Sequence, residues 1–222
     1  MIQLPTFETD RLVFRRVEPK RDDEFLADLF SDPMTRLGWS GRVILPWGQS
    51  TIDEIHDKLK NSAIHVLVCL KRAESEQVGG LAHEERSVAG ATGRDRGRTG
   101  SSTKDPQPIG WLRLGESPLS QCRKADFGVA IHKDFQGKGY AREAIEWMLE
   151  RAFVGFGFHR VEGAFFSWNE PARKCYRALG FVEEGCRRES FWQQGAWYDE
   201  IEIGILAREW KARHGSDLDI QR

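Results

Sequence analysis

The sequence lacks long hydrophobic runs and paired cysteines. No apolar stretch approaches the roughly 18–20 residues that span a bilayer, and residues 1–10 do not show the basic-then-apolar pattern of a signal peptide. The four cysteines form no CxxC pair and have no histidine at ligand spacing, which argues against a zinc site. We therefore expect a soluble, cytoplasmic protein with free thiols, no bound metal and no membrane partner.

An excess of charge of either sign is also missing. The 222 residues include 33 Lys and Arg against 34 Asp and Glu, so the formal net charge is -1. This balance gives no reason to expect a nucleic-acid partner, although a local basic site for a phosphate-bearing cofactor remains compatible with it. A chain of this length can form one domain with a sizeable core. The sequence contains no indicator of oligomeric state.

Aromatic residues are absent from residues 72–108, where glycine, serine, threonine and charged residues dominate. Such a composition cannot bury enough apolar surface to offset the entropy lost on ordering. We therefore predict one domain over residues 1–222 with a flexible insertion at 73–107. The arginines of the insertion could meet an acidic partner, but a solvated loop fits the composition better.

Hydrophobic patterning outside the insertion predicts an α+β protein. Alternating or β-branched residues predict strands at 12–17, 65–70, 109–114, 125–132, 161–166, from 181 onward, and at 198–206. Apolar residues at helical spacing predict helices around 25–30, 52–59, 139–156 and 171–179. Residues from Glu209 onward are predicted to form a C-terminal tail. This order predicts a mixed sheet covered by helices.

The segment with the clearest chemistry joins a predicted strand to a predicted helix and reads FQGKGYA at residues 135–141. A helix start offers unpaired backbone N–H groups and the positive end of the macrodipole, and glycines at 137 and 139 leave room for an anion. Walker A is absent, and Arg142 stands where a dinucleotide fingerprint needs its third glycine. From these residues alone, a glycine-lined helix entry without a ligand is an equally good interpretation.

Two motifs at matching spacing resemble those of the GNAT acetyltransferases. The pattern Gln136-x-x-Gly139-x-Ala141 resembles the family's pyrophosphate loop, and VAIHKDF before it resembles the strand whose backbone pairs with the pantetheine arm. About thirty residues later, NEPARKCYRALGF at 169–181 resembles the second signature, with an asparagine, a helical tyrosine and Gly-Phe. TDRLVFRRV near the start and RESFWQQGAWYDEIEIGIL near the end are most similar to the branch of ribosomal-protein N-terminal acetyltransferases.

The resemblance implies a fold, an activity and a cofactor site. The implied fold is the GNAT fold, with a mixed, mostly antiparallel sheet of six to seven strands flanked by helices. The implied activity transfers acetyl from acetyl-CoA, without a metal, to a primary amine of a protein N-terminus or a small molecule, by direct attack in a ternary complex. The implied cofactor-binding residues are Val129, Ile131, Gln136, Gly137, Lys138, Gly139, Tyr140, Ala141, Asn169 and Arg173.

Acetyl transfer needs a base for the amine proton and an acid for the leaving thiolate. The resemblance places Tyr176 beside the cofactor sulfur, and a phenol with a reference pKa of about 10 is protonated at neutral pH. Tyr176 is therefore the predicted acid, although its spacing also permits an ordinary packing role on its helix. For the base we predict Asp126 or Glu162 on neighbouring strands, with Glu202 as a weaker option and ordered water as another.

Two features leave the prediction open. Position 172 is alanine where the family often has serine, so a serine acid is not available at that place. The acceptor could be a protein N-terminus, a polyamine, an amino sugar or an antibiotic. The segments that frame the family's acceptor pocket contain Trp39, Trp47, Trp192 and Trp197, which could hold a cationic amine or pack as a lid.

Two other functions are alternatives to an active acetyltransferase. One is a non-catalytic acyl-CoA-binding module on the same fold, and the other is an unrelated nucleotide-dependent enzyme.

Overall fold

A computed structural model describes residues 6–32, 35, 57, 62–71, 105–116 and 120–215. These residues form a seven-stranded sheet in the order β1-β2-β3-β4-β5-β7-β6. The strands are β1 (Leu12–Arg16), β2 (Ser62–Leu70), β3 (Gln107–Glu116), β4 (Lys124–Ile131), β5 (Arg160–Phe166), β6 (Val182–Gln193) and β7 (Ala196–Leu206). The predicted sheet is confirmed.

Helices cover both faces of this sheet. They are α1 (Asp23–Ser31), α2 (Tyr140–Glu150), α3 (Glu170–Leu179) and α4 (Ala207–His214). The helix predicted at 139–156 is shorter than expected, because it changes to a π-helical turn at Arg151–Gly155. No helix in the described part of the chain is long and apolar enough to cross a membrane.

Neighbouring strands are antiparallel except for β4 and β5, which are parallel. These two strands pair only at their starts, with Asp126 opposite Glu162 as the last pair in register. Beyond that pair, β4 runs on to Ile131 and β5 to Phe166 without further pairing between them. The sheet is therefore open along the carboxyl-terminal halves of its two central strands.

Alternate residues of the central strands enter two separate hydrophobic clusters. Val68 and Leu114 lie in the larger cluster, which joins the sheet to α2, α3 and α4. Leu67 and Trp111 point to the opposite face and pack against α1 through side chains such as Phe30. Strand side chains alternate between the two faces of a sheet. The cluster to which a residue belongs therefore shows on which face of the sheet its side chain lies, also beside the opening between β4 and β5.

The predicted C-terminal tail is wrong, since residues 207–214 form α4. Trp210 is only 3% exposed and its ring lies 5.7 Å from that of Phe153. The pair of His214 and Glu146 also ties α4 to α2, with 2.7 Å between Nε2 and Oε1. Half of the residues of α4 are charged, so its sequence shows too few apolar positions for a helical period to be recognised.

The predicted insertion separates two strands that are direct neighbours. Leu70 at the end of β2 pairs with Gln107 at the start of β3, so the last residue assigned to the insertion belongs to the sheet. Residues 72–104 lie outside the described part of the chain, as do Trp39 and Trp47. The predicted helix at 52–59 also falls there, apart from a helical Asp57.

Candidate active site

A cavity of about 740 Å³ lies where β4 and β5 separate. Its walls come from the second half of β4, the loop after it, the start of α2, α3 and the β6–β7 hairpin. Most of the residues assigned to the site by sequence line it, namely Val129, Ile131, Gln136, Gly137, Gly139, Tyr140, Ala141, Asn169 and Tyr176. The loop of residues 135–141 therefore forms one wall of a real concavity.

The loop between β4 and α2 lines the cavity with two glycines in the left-handed conformation. Gly137 has φ 75° and Gly139 has φ 82°, a conformation that L side chains rarely adopt. The backbone N–H groups of Gly137, Lys138 and Gly139 donate to no protein group among the described residues. The side chain of Gln136 donates to the carbonyl of Ile131 at 2.8 Å, so it shapes the loop from inside.

Arg11, which precedes β1, supports this loop from the outside. Its Nη1 donates to the carbonyl of Lys138 at 3.0 Å, and its Nε donates to Oε2 of Glu143 on α2 at 2.7 Å. The guanidinium also lies 4.6 Å from the ring centre of Tyr140. Burial alone raises the pKa of Glu143, but hydrogen bonds from Thr9 and Arg11 outweigh it and lower that pKa.

Tyr176 lies on α3 and lines the cavity, and three phenylalanine rings pack around its side chain. Its ring centre lies 5.5 Å from that of Phe127 and 5.7 Å from those of Phe165 and Phe181. The hydroxyl makes no hydrogen bond with the described residues, and burial raises the pKa of the phenol further above its usual value. Tyr176 is thus a phenol that is held by packing and has no hydrogen-bond acceptor among the described residues.

The start of α3 is organised by Asn169. Its Oδ1 accepts a hydrogen bond from the backbone N–H of Ala172 at 3.1 Å, the usual N-cap contact. Gly180 ends the helix with φ 93°. Cys175 also lines the cavity, and burial raises the pKa of its thiol. The thiol therefore stays protonated at neutral pH, which argues against a nucleophilic role.

The sequence offers three basic residues that could meet the phosphates of CoA, namely Lys138, Arg142 and Arg173. Of these, Arg142 lines the cavity, together with Lys174, and neither Arg142 nor Lys174 forms an ion pair within the described residues. Lys138 instead donates to the carbonyl of Asp134 at 3.2 Å. Arg173 is paired with Glu170, with 2.8 Å between Nη1 and Oε1, and with Glu183 at 3.2 Å. The side chains of Lys138 and Arg173 do not line the cavity, so the structure does not favour them as phosphate ligands.

The two carboxylates predicted as the general base, Asp126 and Glu162, lie where β4 and β5 pair with each other. Asp126 binds Arg113, with 2.6 Å between Oδ2 and Nη1. Glu162 accepts from Lys124 at 2.7 Å and from Arg160 at 2.8 Å. Burial raises the pKa of Glu162, but these bonds outweigh it and lower the pKa.

Neither carboxylate lines the cavity, and Glu202 is bound by Arg187. A general base must reach the proton that it removes, directly or through one water. This geometry therefore does not favour Asp126, Glu162 or Glu202 as the base.

An aromatic wall closes the hairpin side of the cavity. We define it as Phe166, Trp168, Phe191 and Tyr198, of which Trp168 and Tyr198 line the cavity. The ring centres of Phe166 and Trp168 are 4.5 Å apart, those of Phe166 and Phe191 are 4.7 Å apart, and those of Trp168 and Tyr198 are 4.6 Å apart.

The tryptophans that sequence places at the acceptor pocket are not part of this wall. Trp192 and Trp197 are 55% and 56% exposed at the tip and do not line the cavity. The available signal was the aromatic pair Phe166 and Trp168, two residues apart immediately before Asn169. Among the described residues, no cluster of three or more His, Cys, Asp or Glu side chains could hold a metal ion.

Comparison with known proteins agrees with this arrangement. A family model described as the acetyltransferase (GNAT) domain matches residues 11–182. The putative ribosomal N-acetyltransferase YdaF of Bacillus subtilis is 34% identical over 40% of this chain and 49% of its own. YoaA of the same organism, an uncharacterized N-acetyltransferase, is 25% identical over 91% of this chain and 97% of its own. The chain spans about half the length of most of the curated relatives it matches.

Solved structures show the same fold. A spermidine N-acetyltransferase from Vibrio cholerae, crystallised with CoA and spermine, superimposes with a TM-score of 0.65 at 21% identity. The match covers 91% of this chain and 99% of that one.

Proposed function

Since this chain belongs to the GNAT acetyltransferase family, we propose that it transfers the acetyl group of acetyl-CoA to a primary amine by direct attack in a ternary complex. The observation that carries the proposal is the cavity, in which an anion loop, an open strand edge and a protonated tyrosine lie together. The CoA in the related Vibrio cholerae structure supports the cosubstrate. Four free cysteines suit a reducing compartment, and we propose that the reaction takes place in the cytoplasm.

The residues present fit acetyl-CoA in three places. Among the described residues, the backbone N–H groups of Gly137 to Gly139 have no protein acceptor, and they suit a pyrophosphate at the start of α2. Arg142 and Lys174 add positive charge to the lining of the same cavity. Within the described part of the chain, β4 has no strand partner on its β5 side after Asp126, so its backbone groups can bond the amides of a pantetheine arm.

Tyr176 supplies the proton for the departing thiolate. The amine nitrogen forms a bond to the acetyl carbon, the carbon–sulfur bond breaks, and sulfur takes the phenolic proton. The amine proton leaves to water, because the described lining residues include no carboxylate. Water then restores the proton of Tyr176. Holding both reactants in one cavity supplies much of the acceleration.

A thiol-release assay with a panel of amines tests this function. We expect release of free CoA that depends on both acetyl-CoA and an amine, and loss of most of that rate in Tyr176→Phe. Acetyl-CoA that binds, seen as a rise in melting temperature, but is never turned over would support the non-catalytic alternative. A protein that is stabilised by NAD or ATP and not by acetyl-CoA would refute the site itself.

A further inference from the structure

The cavity is lined by residues that belong to both faces of the sheet. Val129 and Ile131 belong to the face that packs against α2 and α3, whereas Ala130 belongs to the face that packs against α1. Tyr176 lies on the first face with Phe165. The next residue, Phe166, points to the second face by strand alternation, so the aromatic wall stands on the side opposite Tyr176.

We propose that this aromatic wall is the acceptor subsite, and that it selects a primary amine that carries one positive charge on an apolar or aromatic body. The proposal rests on the proposed acetyl transfer. An acceptor of this kind packs against the rings of Trp168 and Tyr198. Gln193 and Gln194 also line the cavity, and their side-chain amides can form hydrogen bonds with polar groups of the acceptor. Tyrosine and tryptophan faces attract a single ammonium and bury its carbon skeleton.

The charges beside the wall argue against a polyamine. Tyr198, Glu200 and Glu202 alternate along β7 and share one face. Arg187 occupies both carboxylates, with 3.2 Å between its Nη1 and Oε2 of Glu200 and a shorter contact to Glu202. A polyamine brings further ammonium groups that need partners along its length, and these two carboxylates already share a guanidinium.

The described lining residues include no carboxylate, so we take water as the acceptor of the amine proton. The rate of acetyl transfer then depends directly on the fraction of the amine that is neutral in solution. An α-amine has a pKa near 8 and an alkyl amine near 10.4, so at neutral pH the first is neutral roughly 200-fold more often. A weakly basic, singly charged amine therefore suits this site better than a strongly basic polycation. A peptide α-amine meets both conditions, whereas a small arylalkylamine meets only the condition of a single charge on an aromatic body.

Four acceptors and acetyl-CoA test the proposal through kcat/KM. They are 2-phenylethylamine, butylamine, spermidine and a tripeptide with a free N-terminus and phenylalanine at its first position. We expect 2-phenylethylamine to exceed butylamine, which has equal charge and no ring, by about 10-fold, and the tripeptide to exceed spermidine. The order of the tripeptide and 2-phenylethylamine separates the two sources of the amine. A preference for spermidine over both aromatic acceptors would overturn the inference.

Two variants and a matched control locate the effect. Trp168→Ala should lower kcat/KM for the aromatic acceptors about 10-fold and that for butylamine, which has the charge but no ring, by a smaller factor. Trp168→Phe should restore most of the loss. Trp192→Ala removes an exposed indole at the tip of the β6–β7 hairpin, outside the cavity, and should change nothing. Arg187→Gln releases Glu200 and Glu202, and should raise kcat/KM for spermidine while leaving 2-phenylethylamine unaffected.

Equal losses in Trp168→Ala and Trp192→Ala would refute the subsite. Acetyl-CoA binding, read as a shift in melting temperature without any acceptor, separates this failure from failure of the proposed activity. A protein that binds acetyl-CoA and acetylates only spermidine keeps the activity and loses the subsite.

Discussion

Replacing Arg11 by glutamine should weaken CoA binding without touching the cavity. The change removes the guanidinium that donates to the Lys138 carbonyl at 3.0 Å and leaves the Glu143 carboxylate without its cation. A hydrogen bond to a charged group contributes about 1.5–3 kcal/mol. The Arg11 side chain is 35% exposed, so we reduce this to about 1–2 kcal/mol. That range corresponds to a rise in the Kd of CoA of about 5- to 30-fold.

A second substitution separates loop support from charge. In Arg11→Gln, the Glu143 carboxylate on the first turn of α2 repels an incoming pyrophosphate. Adding Glu143→Gln removes that repulsion, so the double variant should bind CoA about threefold more tightly than Arg11→Gln alone. Double-mutant cycles resolve couplings of 0.5 kcal/mol or more, and titration calorimetry with CoA measures each Kd.

Kinetics give an independent reading of the same variants. We expect the KM for acetyl-CoA to rise with little change in kcat or in the KM for the amine. Arg208→Gln, at a 73% exposed arginine of α4, serves as the control and should match the wild type. The cycle also needs Glu143→Gln alone. If the effects of Arg11→Gln and Glu143→Gln on the Kd of CoA are additive, the two residues act independently, and Arg11 does not support the loop through Glu143.

Four further outcomes are expected. Tyr176→Phe should lower kcat about 100-fold with unchanged Kd for acetyl-CoA and unchanged melting temperature; equal losses of stability and rate would instead indicate packing. Gly139→Val, at φ 82°, should abolish stabilisation by acetyl-CoA, whereas Gly195→Val, at φ 84° in the hairpin, should retain it. Replacing residues 74–106 by a Gly-Asn turn should leave the melting temperature within a few degrees; a large drop would reveal a structured element. Asp22 is 3% exposed; burial raises its pKa, but hydrogen bonds outweigh this and lower it. The ionised Asp22 carboxylate therefore stabilises the fold above pH about 4, and this stabilisation is lost as the pH falls below that value. In Asp22→Asn, the melting temperature should fall less steeply as the pH is lowered.

Much of the fold was predictable because its elements are local. The alternation along β7 and the apolar stripe of α2 depend only on neighbours in sequence, and both elements appear within a few residues of their predicted bounds. The glycine loop before α2 was predictable for the same reason, since Gly137 and Gly139 stand directly before a helix. Helix α4 was missed because its stability comes from one buried side chain, Trp210, and not from a repeating pattern.

The parts of the site that escaped prediction depend on contacts distant in sequence. Arg11 and Glu143 are 132 residues apart, and no spacing rule connects them. The interpretation of Asp126 and Glu162 as bases followed from their places on neighbouring strands. Their ion pairs with Arg113 and Lys124 are set by register across the sheet, which the sequence does not display.

The short pairing of β4 with β5 divides the sheet into two mechanical units. One unit holds β1 to β4 and the other holds β5, β7 and β6, and three residue pairs join them within the described residues. Helix α2 rests on the first unit and α3 adjoins it across the seam. A pantetheine arm along β4 would act as an added strand that completes the hydrogen-bonded ladder. Backbone amides of residues 127–131 should then exchange with solvent more slowly when CoA is bound. Departure of the spent CoA would then leave this edge of β4 without its added strand, so product release would involve the backbone of the sheet.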